Sequence, residues 1–141
     1  MKKCMNVSFA YALAAMAGGV FFREFTKYNG FTGQTTLGVV HPHLFMLGCM
    51  LFLLLALFSA HLTLTEQKQF RIFFITYNIG LPLMAVMMLV RGTLQVLGTP
   101  LSSAANAAIS GIAGLTHITV GASLVLLFIA LKKAAATVDK Q

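Results

Sequence analysis

Four long apolar segments separated by short polar connections limit what this chain can fold into. Crossing about 30 Å of hydrocarbon takes roughly 20 helical residues, and each segment has about that length. Inside a bilayer only helices and closed barrels satisfy their own backbone groups, and long continuous apolar runs indicate helices. The sequence therefore predicts an all-α, four-helix transmembrane bundle. The expected helices cover about 6–26, 38–60, 72–96 and 104–131.

The composition excludes a soluble protein. Of the 141 residues, 58% are hydrophobic and only 9% are charged, which is far from the usage of soluble domains. The four segments use up the chain, so we expect a single integral membrane domain over residues 1–141. The net charge of +7 would suggest nucleic acid in a soluble protein, but here the cations flank the segments, where anionic lipid accounts for them. The lipid bilayer is the expected partner, and no nucleic-acid binding is expected.

The distribution of cations predicts an orientation. Because basic residues are enriched on the cytoplasmic side, both termini should be cytoplasmic. Two lysines before an apolar run are also typical of a signal peptide, but the run continues without a convincing cleavage site, which favours a retained first helix. The cations on the side of the termini are Lys2, Lys3, Lys68, Arg71, Lys132, Lys133 and Lys140, and those opposite are Arg23, Lys27 and Arg91.

Histidines inside the apolar segments are the strongest functional signal. His41 and His43 open the second segment, and His117 lies in the outer half of the fourth. An ionisable side chain within a membrane helix costs roughly 2.5–3.5 kcal/mol on insertion scales, so it is a functional candidate that needs a partner. His61 lies about 30 Å from His41 along the same helix, so it belongs to a different site or to none.

Glycines recur at fixed offsets from these histidines. Residues three or four apart share a helical face, and the second and fourth helices both carry Gly-x-x-His, which removes side chains beside each imidazole. Two axial imidazoles, walls without side chains and cations for the propionates are what haem b needs. We therefore expect one bis-histidine haem b between these helices, with its propionates toward the outer surface. The expected iron ligands are His41 and His117, with His43 as the alternative to His41, and the expected surrounding residues are Gly38, Gly48, Gly114, Gly121, Arg23 and Arg91.

His41 and His43 do not easily face one ligand together, because they are about 200° apart on a helix. The glycine pattern favours His41. Depth favours His43, since His117 is expected to lie several ångströms deeper than His41. We rank His41 first, in which case His43 would bind a propionate or face a partner subunit.

Each of these features also has a structural explanation. Glycines in membrane helices often serve close packing, and a lone histidine can bond a neighbouring helix. Thioethers on the second and third helices suggest Cu(I) transfer as a rival chemistry, although methionine more often fills gaps in a core. The alternatives are therefore a copper or other metal or solute transporter, and a haem-free structural subunit of a membrane complex. The methionines are Met46, Met50, Met84, Met87 and Met88.

Two segments of the chain resemble a group of known proteins. They are HPHLFMLG at 41–48 and YNIGLPLM at 77–84. They are similar to the His-x-His-x-x-x-Leu-Gly and Asn-x-Gly-x-Pro segments of small four-helix bacterial membrane proteins, which are described as cytochrome oxidase subunit I-like and, more narrowly, as the DUF2871 type. In haem-copper oxidases a second-helix histidine seven residues before a glycine ligates the low-spin haem. The resemblance implies that His41 is this ligand and that the chain lies in a bacterial plasma membrane.

The number of histidines limits what this resemblance can imply. A haem-copper centre needs further histidines for copper and for a second haem, and the chain has four in total, one of them at the opposite end. Oxygen reduction by this chain alone is excluded. No nucleophile with a base, paired carboxylates or phosphate-binding loop is visible. We expect electron transfer, haem handling or redox and gas sensing, and the sequence leaves the electron partner open, as well as a homodimer or a larger complex.

Overall fold

The computed structural model describes residues 1–138 and consists of four long antiparallel helices, with no strand in this range. Each helix is long and apolar enough to cross a membrane, with a mean hydropathy between 1.5 and 2.2, so the predicted all-α fold with four helices of membrane length is confirmed. The cytoplasmic location of the termini stays a prediction, and Lys140 lies outside the described residues. The helices are α1 (Lys2–Tyr28), α2 (Leu37–His61), α3 (Lys68–Val96) and α4 (Ser103–Val138).

The helices extend beyond the predicted boundaries, most of all at the ends near the two termini. α1 begins four residues early at Lys2, α3 begins at Lys68, and α4 continues past Leu131. The apolar pattern marks only the part of a helix that lies in hydrocarbon. Lysine, glutamine, arginine and alanine are good helix formers, so they continue the helices into the polar region.

The helices pack in chain order and leave α4 at one side. α1 packs on α2, α2 on α3 and α3 on α4, whereas α1 and α4 share no packing interface in residues 1–138. The connections 29–36 and 97–102 lie together at one end of the bundle, which we call the far end. Residues 1 and 138 lie at the opposite end. The buried residues of α4 form one stripe against α3, namely Thr116, Val120, Ser123, Leu127, Ala130 and Ala134.

Two prolines lie inside helices. Pro42 falls in the second turn of α2, which begins at Leu37. Pro82 lies in the middle of α3. Each proline lacks the N–H that would bond the carbonyl four residues earlier, which leaves the carbonyls of Gly38 and Asn78 without their helical partners.

The middle of α2, Leu44–Met50, is a π-helix that the sequence analysis did not predict. A π segment is rare and frequently marks a functional site. Neighbouring helices bond its carbonyls on both sides. Tyr77 Oη of α3 donates to the Leu47 carbonyl at 2.9 Å, and Ser8 Oγ of α1 donates to the Cys49 carbonyl at 2.8 Å. These bonds tie the segment to both α1 and α3.

Removal of the Tyr77 hydroxyl tests this attachment. Tyr77 is fully buried, and Tyr77→Phe leaves the Leu47 carbonyl without its side-chain partner, which costs about 1–3 kcal/mol. We expect the midpoint of thermal unfolding in detergent, followed by helical circular dichroism, to fall by roughly 4 °C or more. Tyr28→Phe is the matched control, because Tyr28 is 90% exposed. Equal midpoints for the two variants would contradict a stabilising role for the hydroxyl.

Candidate functional site

The three histidines of the predicted site share one arrangement of their rings. In each, Nδ1 lies at hydrogen-bond distance from a backbone carbonyl. A carbonyl only accepts, so Nδ1 carries a proton, and in the neutral imidazole Nε2 then keeps its lone pair. None of the hydrogen bonds found in residues 1–138 involves an Nε2 of these rings. A histidine that binds a metal through one ring nitrogen usually donates the N–H of the other to a carbonyl or carboxylate. The distances are 2.9 Å from His41 to Ala15, 2.7 Å from His43 to Val39 and 2.8 Å from His117 to Ala113.

The ring of His41 lies against α1. It bonds the Ala15 carbonyl, and a Cβ added at Gly19 of α1 would lie 3.3 Å from its Nδ1. It also stacks on Phe45, with 5.8 Å between ring centroids. Since α1 and α4 share no packing interface, the structure does not bring His41 and His117 together. Helical periodicity showed which residues share a face with His41, but not that this face meets α1.

His43 lies on the side of α2 that contacts α3. Thr36, seven residues earlier, donates to the Met88 carbonyl at 3.0 Å, and Leu47, four residues later, accepts from Tyr77. Residues four and seven apart share a helical face. His43 is half-buried, and it is therefore the histidine of α2 that lies toward the α3–α4 hairpin.

His117 lies on an exposed face of α4 that is bordered by glycine. A Cβ added at Gly114, three residues earlier, or at Gly121, four residues later, would meet nothing within 4 Å. The same holds for Gly111. Close packing inside the described chain therefore does not explain these glycines. The face is open to lipid, to a ligand or to another molecule.

Arg91 of α3 reaches the same face of α4. Its guanidinium donates to Ser110 Oγ at 2.7 Å and to Asn106 Oδ1 at 3.3 Å. Ser110 and His117 are seven residues apart, so they share a face and lie about 10 Å apart along the axis. Asn106 and Ser110 were not among the predicted site residues, although their spacing from His117 places all three on one helical face. In residues 1–138, Arg91 has neutral partners and no ion pair.

Arg23 does not join this arrangement. Its side chain is 79% exposed and its Nε lies 3.6 Å from Glu24 Oε1. Arg23 follows Gly19 by one helical turn on α1, at the edge where His41 packs. The structure therefore places Arg23 on the His41 side of the bundle and Arg91 on the His117 side, and the predicted cluster of two arginines does not form within the described chain.

The two glycines of α2 serve contact between helices. A Cβ added at Gly38 would lie 3.4 Å from the Phe22 ring, and one added at Gly48 would overlap the Tyr11 ring. Both aromatic residues belong to α1. Neither Gly38 nor Gly48 borders the face that carries His117, and close helix packing accounts for both.

The methionines that suggested Cu(I) transfer lie partly in the core and partly on the surface. Met84 and Met88 are buried, whereas Met46 is 59% exposed. Among the described residues, no group of three or more His, Cys, Asp and Glu side chains could hold a metal ion together. His61 is exposed at the last residue of α2, opposite the far end, and lies a long way along the helix from His41 and His43.

Four membrane-length helices with imidazoles and arginines in the far half define a small four-span membrane protein. A family model described as "Protein of unknown function (DUF2871)" matches residues 1–134. The chain belongs to this family, which confirms the DUF2871 resemblance. No curated protein and no solved structure matches the chain.

Proposed function

We propose that this protein binds one haem b through two histidines in the far half of a bacterial plasma membrane, for electron transfer, haem handling or redox and gas sensing. The observation that carries the proposal is the state of the imidazoles, which lie in apolar helices with Nδ1 bonded and Nε2 free. When bound, haem would supply reversible one-electron chemistry at its iron. The kinship to cytochrome oxidase subunit I, on which this proposal also drew, stays a prediction.

His43 and His117 form the pair that the geometry supports best. α2 and α4 both pack on α3 but share no extensive interface with each other, so a ligand could lie between them. Contacts along α3 give the relative depths, because Gly92 lies against Leu37, and Gly80 lies against Thr119. At about 1.5 Å per residue, His117 is about 6 Å deeper than His43 and about 9 Å deeper than His41. Both depth and direction therefore favour His43.

The surroundings of His117 fit a flat, anionic ligand. Gly114 and Gly121 leave the surface beside the imidazole without side chains. Arg91 lies toward the far end with only neutral partners, Ser110 and Asn106, so it could neutralise a propionate through charge-assisted hydrogen bonds. In this arrangement α4 would form one wall, His117 and His43 would hold the iron, and Arg91 would orient the ligand.

Absorption spectroscopy of the purified full-length protein tests the proposal. With haem supplied during expression, or hemin added after purification, we expect the Soret and α bands of low-spin haem and about one haem per chain by pyridine haemochrome analysis. We expect His117→Ala and His43→Ala each to lower the haem content at least tenfold, because each removes an imidazole that would hold the iron. His61→Ala, at the other end of α2, is the control and should bind haem as the wild type does.

Other outcomes would change the conclusion in defined ways. Haem content unchanged in His117→Ala would overturn the site. If haem is lost in His41→Ala but kept in His43→Ala, the protein still binds haem, and the ligand is His41, as the sequence favoured. Copper retained without a Soret band would favour the transporter alternative. Binding of neither haem nor copper would favour a structural subunit of a membrane complex.

A further inference from the structure

We propose a second ligand site on the opposite side of the bundle, where a groove between α1 and α3 binds the ring of an uncharged isoprenoid quinone and directs its tail toward the far end. The site shares no residue with the proposed haem site. It stands on a cavity and on a polar pair at the inner end of that cavity, and it does not depend on haem binding.

Two clefts run end to end between α1 and α3, with α2 as their floor. The outer cleft has a volume of about 700 Å³ and the deeper one of about 430 Å³, within the range of sites for small molecules. Ala14 and Leu44 line both, so the clefts are continuous. The outer cleft is lined by alanine, glycine, aliphatic and phenyl side chains with a single threonine, and neither cleft is lined by a charged residue.

The deeper cleft contains a polar pair from the two helices. Tyr11 Oη donates to Asn78 Oδ1 at 3.0 Å, and Asn78 Nδ2 donates to the Phe74 carbonyl at 2.7 Å. One Nδ2 proton and the lone pairs of the Tyr11 hydroxyl are left over. Pro82, which also lines this cleft, cannot bond the Asn78 carbonyl. The inner end of the groove thus has a spare donor and spare acceptors in apolar surroundings.

The depth of Tyr11 and Asn78 in the membrane limits which ligands can bring a polar group to them. Tyr11 is nine residues from the start of α1 and Asn78 ten from the start of α3, so both lie about 14–15 Å along their helices, inside the hydrocarbon. The polar groups of a phospholipid stay at the membrane surface, so its chain would present only methylene and methyl groups to Tyr11 and Asn78. An uncharged ring on a long apolar tail can reach this depth. Quinone oxygens accept from the Asn78 amide, and quinol hydroxyls donate to the Tyr11 oxygen or the Asn78 carbonyl.

Titration of the full-length protein in detergent with decylubiquinone, followed by calorimetry, tests this site. We expect saturable binding at one site per chain. Ala14→Phe fills the junction of the two clefts and should weaken binding at least tenfold. Tyr11→Phe keeps the ring but removes the hydroxyl, and it should weaken binding roughly fivefold. Ala122→Phe makes the same exchange as Ala14→Phe on the exposed surface of α4 and should bind as the wild type does.

The controls separate specific binding from its alternatives. Equal binding by wild type, Ala14→Phe and Ala122→Phe would show partition into micelles and would overturn the proposal. No decylubiquinone binding, together with one tightly held phospholipid that Ala14→Phe releases, would assign the groove to an acyl chain and would also overturn it. Haem content is measured on the same samples, and Ala14→Phe should leave it unchanged. Failure of either proposal is therefore recognised independently of the other.

Discussion

Gly92→Ala is expected to destabilise the protein by about 3 kcal/mol, a value at the upper end of the range for overpacking. A Cβ at this position would lie 2.5 Å from the backbone nitrogen of Leu37 and 2.6 Å from its Cγ. The backbone atom cannot move away as the end of a flexible side chain could. Hydrogen bonds also hold the two helices together here, since Thr35 Oγ1 donates to the Gly92 carbonyl and Thr36 Oγ1 to the Met88 carbonyl, both at 3.0 Å. The first turn of α2 would therefore be pushed away from α3.

Gly111→Ala is the matched control for this exchange. The position is also within a helix, but a Cβ there meets nothing within 4 Å. Alanine is a better helix former than glycine by up to about 1 kcal/mol, so this variant should be unchanged or slightly more stable. Thermal unfolding in detergent, followed by circular dichroism, would compare the two variants with wild type. Equal midpoints for Gly92→Ala and Gly111→Ala would contradict the close approach of α2 and α3.

Gly114→Leu is expected to abolish haem binding and to leave the fold intact. Its side chain would enter the open surface one turn from His117, where a Cβ meets no neighbouring atom. In the proposed arrangement the macrocycle needs that space. We expect the haem content to fall at least tenfold in pyridine haemochrome analysis, while the midpoint of thermal unfolding of the haem-free protein stays within about 2 °C of wild type.

Ala122→Leu is the control for Gly114→Leu, because it adds a side chain of the same size to another exposed face of α4. This variant should keep its haem. Wild-type haem content in Gly114→Leu would show that the glycine face of α4 does not hold haem. A face that tolerates leucine in this way would then be available to lipid or to another protein.

The sequence by itself determined the helices and the residues that are candidates for chemistry. Four segments of membrane length predict four helices because hydrophobic length is a local property that no neighbouring segment can change. The same holds for the identity of the polar residues in those segments, so His41, His43 and His117 could be named before any packing was known. Helix ends were predicted less well, because residues such as Lys2 and Lys68 continue a helix after its hydrophobic part has ended.

The tertiary structure decided which of these residues meet. Periodicity places His41 and His43 on opposite faces of α2, but only the packing of α1 on α2 shows that His41 is turned away from α4. The role of each glycine also depends on packing, since Gly92 allows two backbones to touch while Gly114 borders open space. The physical reason is that a sequence pattern fixes angles around one helix axis. Which helix packs against each of these faces depends on contacts between segments far apart in the chain.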